Sequence, residues 1–219
     1  MTQINLAQLL PAVVELAQQA GARIMDIYQQ DFDVIQKRDN SPVTKADMAA
    51  HALIDDGLEE IASEFPVLSE ESTTIPLDDR VRWETYWLVD PLDGTREFIK
   101  RNGEFTVNIA LIHNHQPILG SIYVPVTGVS YFAAKDLGAY KQEPDGEPQP
   151  IHVSKHCRDK VVIAGSRSHQ TPELARFLAN IGEHELLSIG SSLKSCLVAE
   201  GKADIYPRLG PTSEWDTAA

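Results

Sequence analysis

Trp87-Leu88-Val89-Asp90-Pro91-Leu92-Asp93-Gly94-Thr95 runs a short apolar segment straight into two carboxylates, a glycine and a hydroxyl. Tyr86 to Val89, aromatic and branched and without charge, reads as a buried strand ended by Pro91. Asp90 and Asp93 are then expected on the turn that follows it. Two like charges this close repel, and each loses hydration beside a core strand. A hard divalent cation ligated by oxygens offsets both costs. Gly94 permits tight backbone geometry, and amides from Gly94 onward can face an anion if a helix starts there. Metal plus amide nest describes a phosphate site, although Pro, Asp and Gly also build a plain type I turn.

Upstream, apolar residues from Ile4 to Tyr28 recur at helical spacing, with Pro11 marking a kink or the first turn of the main helix. Val34 to Arg38 reads as a strand and Asp39-Asn40-Ser41-Pro42 as a turn. Thr44 caps a second helix reaching about Phe65, with Asp47 in its first turn. Val67-Leu68-Ser69 is a short strand running into Glu70-Glu71. Downstream, Phe105–Ile112, Ile118–Val124 and Val129–Ala133 read as a meander with turns over 113–117 and 125–128. The Pro-, Gly- and Glu-rich stretch from Gln142 to Pro150 marks a lobe boundary. Beyond it the pattern alternates: strand 161–164, helix 172–181, strand 186–189, helix 193–200, strand 203–206. The expectation is an N-terminal α+β lobe over residues 1–141 and a C-terminal α/β lobe over 142–219.

Length and composition bound what this chain does. At 219 residues there is room for one large domain or two small lobes with a real core. A net charge of -13 argues against binding polymeric nucleic acid through a basic face. An acidic protein that holds phosphates must find positive charge locally, and bound cations supply it. No apolar run approaches the ~18 residues of a membrane span, and the N-terminus lacks a basic segment followed by an apolar block. A cytoplasmic location is expected. Cys157 and Cys196 lack both disulfide-framework numbers and metal-ligand spacing, and read as reduced thiols.

Acidic groups recur at the ends of elements: Asp47, Glu70, Asp90, Asp93 and, in Trp215-Asp216-Thr217-Ala218-Ala219, Asp216. Asp90-Pro91-Leu92-Asp93-Gly94-Thr95 resembles the signature of the inositol monophosphatase family of magnesium-dependent, lithium-sensitive phosphatases. Trp215 to Ala219 resembles its second signature, Leu68 to Ser72 its Glu-Glu element, and Pro42 to Asp47 its upstream aspartate. All four stand in the family's order over nearly the whole chain. Longer strings, Glu97–Ile112, Ser166–His169, Gly190–Lys194, Leu197–Gly201 and Tyr206–Thr212, are similar to the bacterial 3'(2'),5'-bisphosphate nucleotidase branch of that family.

The resemblance implies a two-lobe, layered αβαβα sugar-phosphatase-like fold. It implies hydrolysis of the 3'-phosphate of adenosine 3',5'-bisphosphate to AMP, with the 5'-phosphosulfate as a second candidate substrate. Glu70, Asp90, the Leu92 carbonyl, Asp93 and Asp216 would hold two or three Mg2+, with Asp90 bridging, and Glu70 also belongs with the catalytic set. Thr95 and Asp47 would orient and deprotonate the attacking water. Leu92, Asp93, Gly94, Thr95, Ser166 and His169 are expected against the substrate, as are Gly190, Ser191, Lys194, Arg208 and Asp216. Lys100 and Arg167 are further cations available for a second phosphate, and each of these basic residues also reads as surface charge. Family members continue for about another strand–helix unit after the second signature, so the C-terminal lobe is expected to be incomplete and Asp216 to lie on a frayed terminal turn. A small-molecule nucleotide is the expected partner, while the oligomeric state, with a homodimer as one candidate, and a peripheral position at the inner face of the cell membrane stay open. An inositol or sugar monophosphatase on the same scaffold, and a catalytically silent phosphate- or metal-binding module, are the competing functions.

Overall fold

The computed structural model describes residues 4–31, 34–36, 42–72, 75–155, 158–166 and 171–219. Helix α1 (Leu6–Tyr28) is capped by the Asn5 side chain, which accepts the Gln8 N–H at 3.3 Å. Pro11 lies inside it, past the first turn, so a single ladder bond is lost near the start. Strands β1 (Val34–Gln36) and β2 (Pro42–Thr44) form an antiparallel pair. Pro42 therefore opens a strand, while the expected turn residues 39–41 lie outside the described ones. Helix α2 (Lys45–Ala62) begins at Thr44 with a reciprocal box: the Thr44 hydroxyl accepts the Ala46 N–H, and Asp47 accepts the Thr44 N–H at 2.7 Å. It ends short of Phe65 because Pro66 follows, which cannot continue a helix.

Strand β3 (Val67–Ser69), the single-turn helix α3 (Leu77–Arg80) and strand β4 (Thr85–Asp93) come next. Strand β4 corrects the first expectation. Asp90 and Asp93 are not on a turn after the strand; they are in it, flanking a register shift in its ladder with the next strand. Pro91 is tolerated because that irregularity needs no amide from it. Helix α4 (Thr95–Ile99) follows Gly94, whose φ of 95° suits glycine.

Strands β5 (Thr106–His113), β6 (Gln116–Val124), β7 (Val129–Ala134), β8 (Gly138–Gln142) and β9 (Gln149–Pro150) complete a seven-stranded sheet of order β3-β4-β5-β6-β7-β8-β9. Only β3 and β4 run parallel; the other pairs are antiparallel. Asn114 and His115, both at positive φ, make the tight β5–β6 turn. The last two strands carried too little apolar alternation to be expected.

Helices α1 and α2 cover one face of this sheet. Val13, Ala17, Ile24, Ile54 and Leu58 pack there against Trp87, Val89, Ile109 and Leu111, all essentially fully buried. Each such side chain contributes about 1.5–3 kcal/mol of burial. The alternate residues Leu68, Leu88, Ala110 and Ile112 face the other way and receive Trp215 and Ala218.

The remaining elements are β10 (Val161–Ser166), α5 (Pro172–Ile181), β11 (His184–Ile189) and α6 (Leu193–Ala199). Strands β10 and β11 pair parallel with α5 between them, as the α/β alternation predicts. The expected strand at 203–206 is not one. Ile205 makes a lone parallel bridge to Ile163, and the Asp204 carboxylate takes the Val162 N–H at 2.8 Å, while Pro207 stops extension. Cys196 is buried and unbonded to sulfur, and Cys157 lies outside the described residues. No helix among the described residues is long and apolar enough to cross a membrane.

Candidate active site

The register shift in β4 turns two acidic residues of one strand toward a common space. Asp90 is 2 % exposed, and its carboxylate accepts the Leu92 N–H at 3.1 Å across the irregularity. Glu70 follows β3, the parallel neighbour, where its N–H is bonded to the Val89 carbonyl at 3.0 Å. Asp216 closes a 3-10 turn over Glu214–Asp216. That turn is not frayed: Trp215 and the two alanines beyond it pack on the sheet face around Leu88 and Ala110. One oxygen each from Asp90, Asp93 and Asp216 falls within 4.8 Å of the others.

Electrostatics report the strain of that convergence. Asp90 is held well above the usual carboxylate range, first by burial and then by Asp93, Glu70 and Asp216. Asp93 is raised by burial, against opposing hydrogen bonds and Lys194. Asp216 is pushed up to about 6 by burial, then by Asp93 and Glu70. An all-oxygen, anionic donor set fits a hard cation.

Asp47 stands behind the carboxylates, 1 % exposed at the start of α2. One of its oxygens accepts the Thr44 N–H and hydroxyl, each at 2.7 Å, and the other accepts the Thr95 hydroxyl at 3.1 Å. Burial raises its pKa in spite of these donors. Thr95, at the first position of α4, lies 3.4 Å from the Leu92 carbonyl as well.

A cavity of about 350 Å3 opens over these groups. Glu70, Asp90, Leu92, Asp93 and Asp216 line it with Gly94 and Thr95. Ser166 from β10, Gly190 and Ser191 before α6, Lys194 within α6 and Arg208 line it too. Lys194 is 5 % exposed, bonds the Ser191 carbonyl and sits 5.4 Å over the Tyr206 ring. Burial lowers its pKa, and Asp93 opposes that. Asp47 does not line the cavity but reaches it through Thr95, and Lys100 does not line it either. His169 and Arg167 lie outside the described residues.

Sequence reasoning did not foresee the part that two residues play in this arrangement. Ser192 donates its hydroxyl to Asp93 at 2.6 Å, and Asn108 donates to Ser192 at 2.8 Å. A signal existed for Asn108: it is the single amide within the apolar run Val107–Ile112. Gly190-Ser191-Ser192 before a helix reads as an anion nest or as a cap, and neither reading pairs Ser192 with Asp93.

Known proteins are similar to this chain over nearly its whole length. A 3'(2'),5'-bisphosphate nucleotidase, CysQ of Shigella flexneri, is 54% identical over 213 residues, covering 96% of this chain and 85% of its own. The crystal structure of CysQ from Bacteroides thetaiotaomicron matches with a TM-score of 0.82 at 45% identity, over 96% of this chain and 83% of that one. An IMPase/NADP phosphatase complexed with Mg2+ and phosphate has the same fold, with a TM-score of 0.82 at 20% identity, over 98% of this chain and 79% of that one. The family model described as the inositol monophosphatase family matches residues 5–219, from the first helix through the Asp216 turn. The match takes in every segment that the bulged strand and its neighbours bring together, and the chain belongs to the inositol monophosphatase family.

Proposed function

We propose that this protein is a Mg2+-dependent phosphatase that hydrolyses the 3'-phosphate of adenosine 3',5'-bisphosphate to AMP and phosphate. The observation that carries the reading is one cavity lined by two unlike sets of groups. Carboxylates from three separate segments make up the first, and the buried Lys194 with Arg208 the second. The first suits a phosphate approached through cations; the second suits a further phosphate met directly by protein charge. The 54% identity to a bisphosphate nucleotidase supports the same choice.

Glu70, Asp90, Asp93, Asp216 and the Leu92 carbonyl would hold the Mg2+ ions. When bound, such ions lower the pKa of water and neutralise charge on the leaving oxygen. The rest falls to the chain. Thr95 gives its hydroxyl proton to Asp47, so its lone pairs are left to accept a proton from water entering the cavity. Burial makes Asp47 a stronger base than a surface aspartate, and its two bonds from Thr44 fix its direction. The water oxygen forms its bond to phosphorus as its proton passes through Thr95 to Asp47, the bond from phosphorus to the 3'-oxygen breaks, and that oxygen takes a proton from solvent to become the 3'-hydroxyl of AMP. Lys194, Ser166 and the Gly190–Ser191 backbone are proposed to hold the second phosphate. A side cavity of about 130 Å3, lined by Leu174, Tyr206, Pro207 and Leu209, adjoins the first at Ser166 and Arg208 and offers an apolar place for the base.

The test is phosphate release from adenosine 3',5'-bisphosphate, its 5'-phosphosulfate and inositol 1-phosphate, each with Mg2+ and with chelator. The bisphosphate is expected to be turned over best, only with Mg2+, and with inhibition by Li+. Faster release from inositol 1-phosphate would replace this reading with a sugar-phosphate one.

A further inference from the structure

Ser192 occupies the N-cap of α6, yet its hydroxyl makes no bond to that helix. A cap serine ordinarily spends its oxygen on its own first turn. Here the hydroxyl points away, 2.6 Å from Asp93 Oδ2, with the Asp216 carbonyl at 3.0 Å. A hydroxyl has one proton, and the charged, nearer acceptor takes it. Asn108 Nδ2 supplies the opposite direction, donating to Ser192 Oγ at 2.8 Å while lying 3.5 Å from the same Asp93 oxygen. Asn108 is the register partner of Asp90 on β5, so the bonds that tie α6 to Asp93 run through the strand paired beside the bulge. Ser192 and Asn108 are 4 % and 1 % exposed, so water does not compete for these bonds.

We infer that Ser192, backed by Asn108, is a positioning residue that holds Asp93 Oδ2 aside and leaves Oδ1 for a divalent ion, so that ion affinity depends on the placement of α6. The segment around it is built for a fixed position. Ser191 sits at a φ of 47°, uncommon for a residue with a side chain, and the Gly190 N–H is held by Glu104 at 2.8 Å. Lys194 follows in the first turn of the same helix. The helix that brings a cation to the ligand thus also sets one of the carboxylates facing it. This rests on the proposed role of Asp93 as a metal ligand, and it adds a residue from another segment to that role.

The experiment is titration of the metal-stripped chain with Mg2+ by calorimetry, for the natural protein and for Ser192→Ala, Ser192→Thr and Asn108→Ala. Ser192→Ala is expected to lose about tenfold in Mg2+ affinity, the range seen when a group orienting a metal ligand is removed. Ser192→Thr, which keeps the hydroxyl, should retain natural affinity, and Asn108→Ala should show a smaller loss. In assays, the Mg2+ concentration for half-maximal activity should rise for Ser192→Ala by the same factor, while kcat at saturating Mg2+ falls less than about threefold. Natural Mg2+ affinity in a folded Ser192→Ala would overturn the inference and leave the metal reading standing. If Ser192→Ala does not fold, unchanged affinity in Asn108→Ala would overturn it instead. A natural chain that binds no Mg2+ would remove the metal reading itself, and this inference with it.

Discussion

Gly190 has no room for a side chain. A Cβ there would lie 2.6 Å from the Glu97 Cγ and 2.8 Å from the Glu104 carbonyl oxygen. One neighbour is backbone and the other a buried side chain, so neither gives way cheaply. Gly190→Ala should cost about 1–3 kcal/mol by overpacking, or roughly 2–4 °C of melting temperature per kcal/mol. Thermal melts check this, and an unshifted melt would mean that the loop relaxes freely. Asp93 poses the opposite balance. Its charge is buried beside Asp90, and burial dominates its raised pKa. Asp93→Asn keeps shape but removes that charge. The metal-free variant should melt no lower than the natural chain, gain no stability from Mg2+, and release phosphate only at background rate. Turnover near the natural level would refute its role as a ligand.

At the scale of elements, α2 is the piece whose end matters to chemistry. Thr44 closes the helix and gives two hydrogen bonds to Asp47. Thr44→Ala removes the hydroxyl and should cost about 1–2 kcal/mol, as other N-cap deletions do. Thr44→Ser should restore most of it. Denaturant unfolding measures the first effect; a parallel loss in kcat would show that the cap also aims Asp47. This cap was legible beforehand because Thr before an apolar-periodic run has a local cause. The reach of β4 was not. Proline and two aspartates read as the end of a strand, whereas pairing with β5 carries the strand past them through a register shift. Pairing with a partner strand is a non-local gain that no window of a few residues contains.

Taken whole, the molecule keeps carboxylates from three segments in one buried place, and its stability should depend on pH accordingly. Asp47, Asp90, Asp93 and Asp216 all have folded pKa values raised above the ordinary 3.8. Between that value and the raised ones, the folded chain holds protons that the unfolded chain has released. These groups therefore lower stability as pH rises from about 4, through about 6 for Asp216, and Asp90, held well above the ordinary carboxylate range, acts in the same direction. The metal-free chain should melt higher near pH 5 than near pH 7.5. Saturating Mg2+ should flatten or reverse that order, because ions replace the protons and bind more tightly as pH rises. A metal-free melting temperature that climbs over this interval would count against a buried, uncompensated acidic cluster.

From the residues alone followed the acidic motifs, the helices α1, α2 and α5, the meander of strands and the change to α/β alternation, since spacing, caps and turn residues act within a few positions of one another. Which polar atoms meet was decided only in three dimensions. Asp93, Asn108, Ser192 and Asp216 are far apart along the chain except for the first pair, and their hydrogen bonds exist because two strands and the entry to α6 cross at one point. Burial then makes those contacts matter: water excluded from Asp90 and Asn108 leaves each polar group dependent on the partner that folding brings to it.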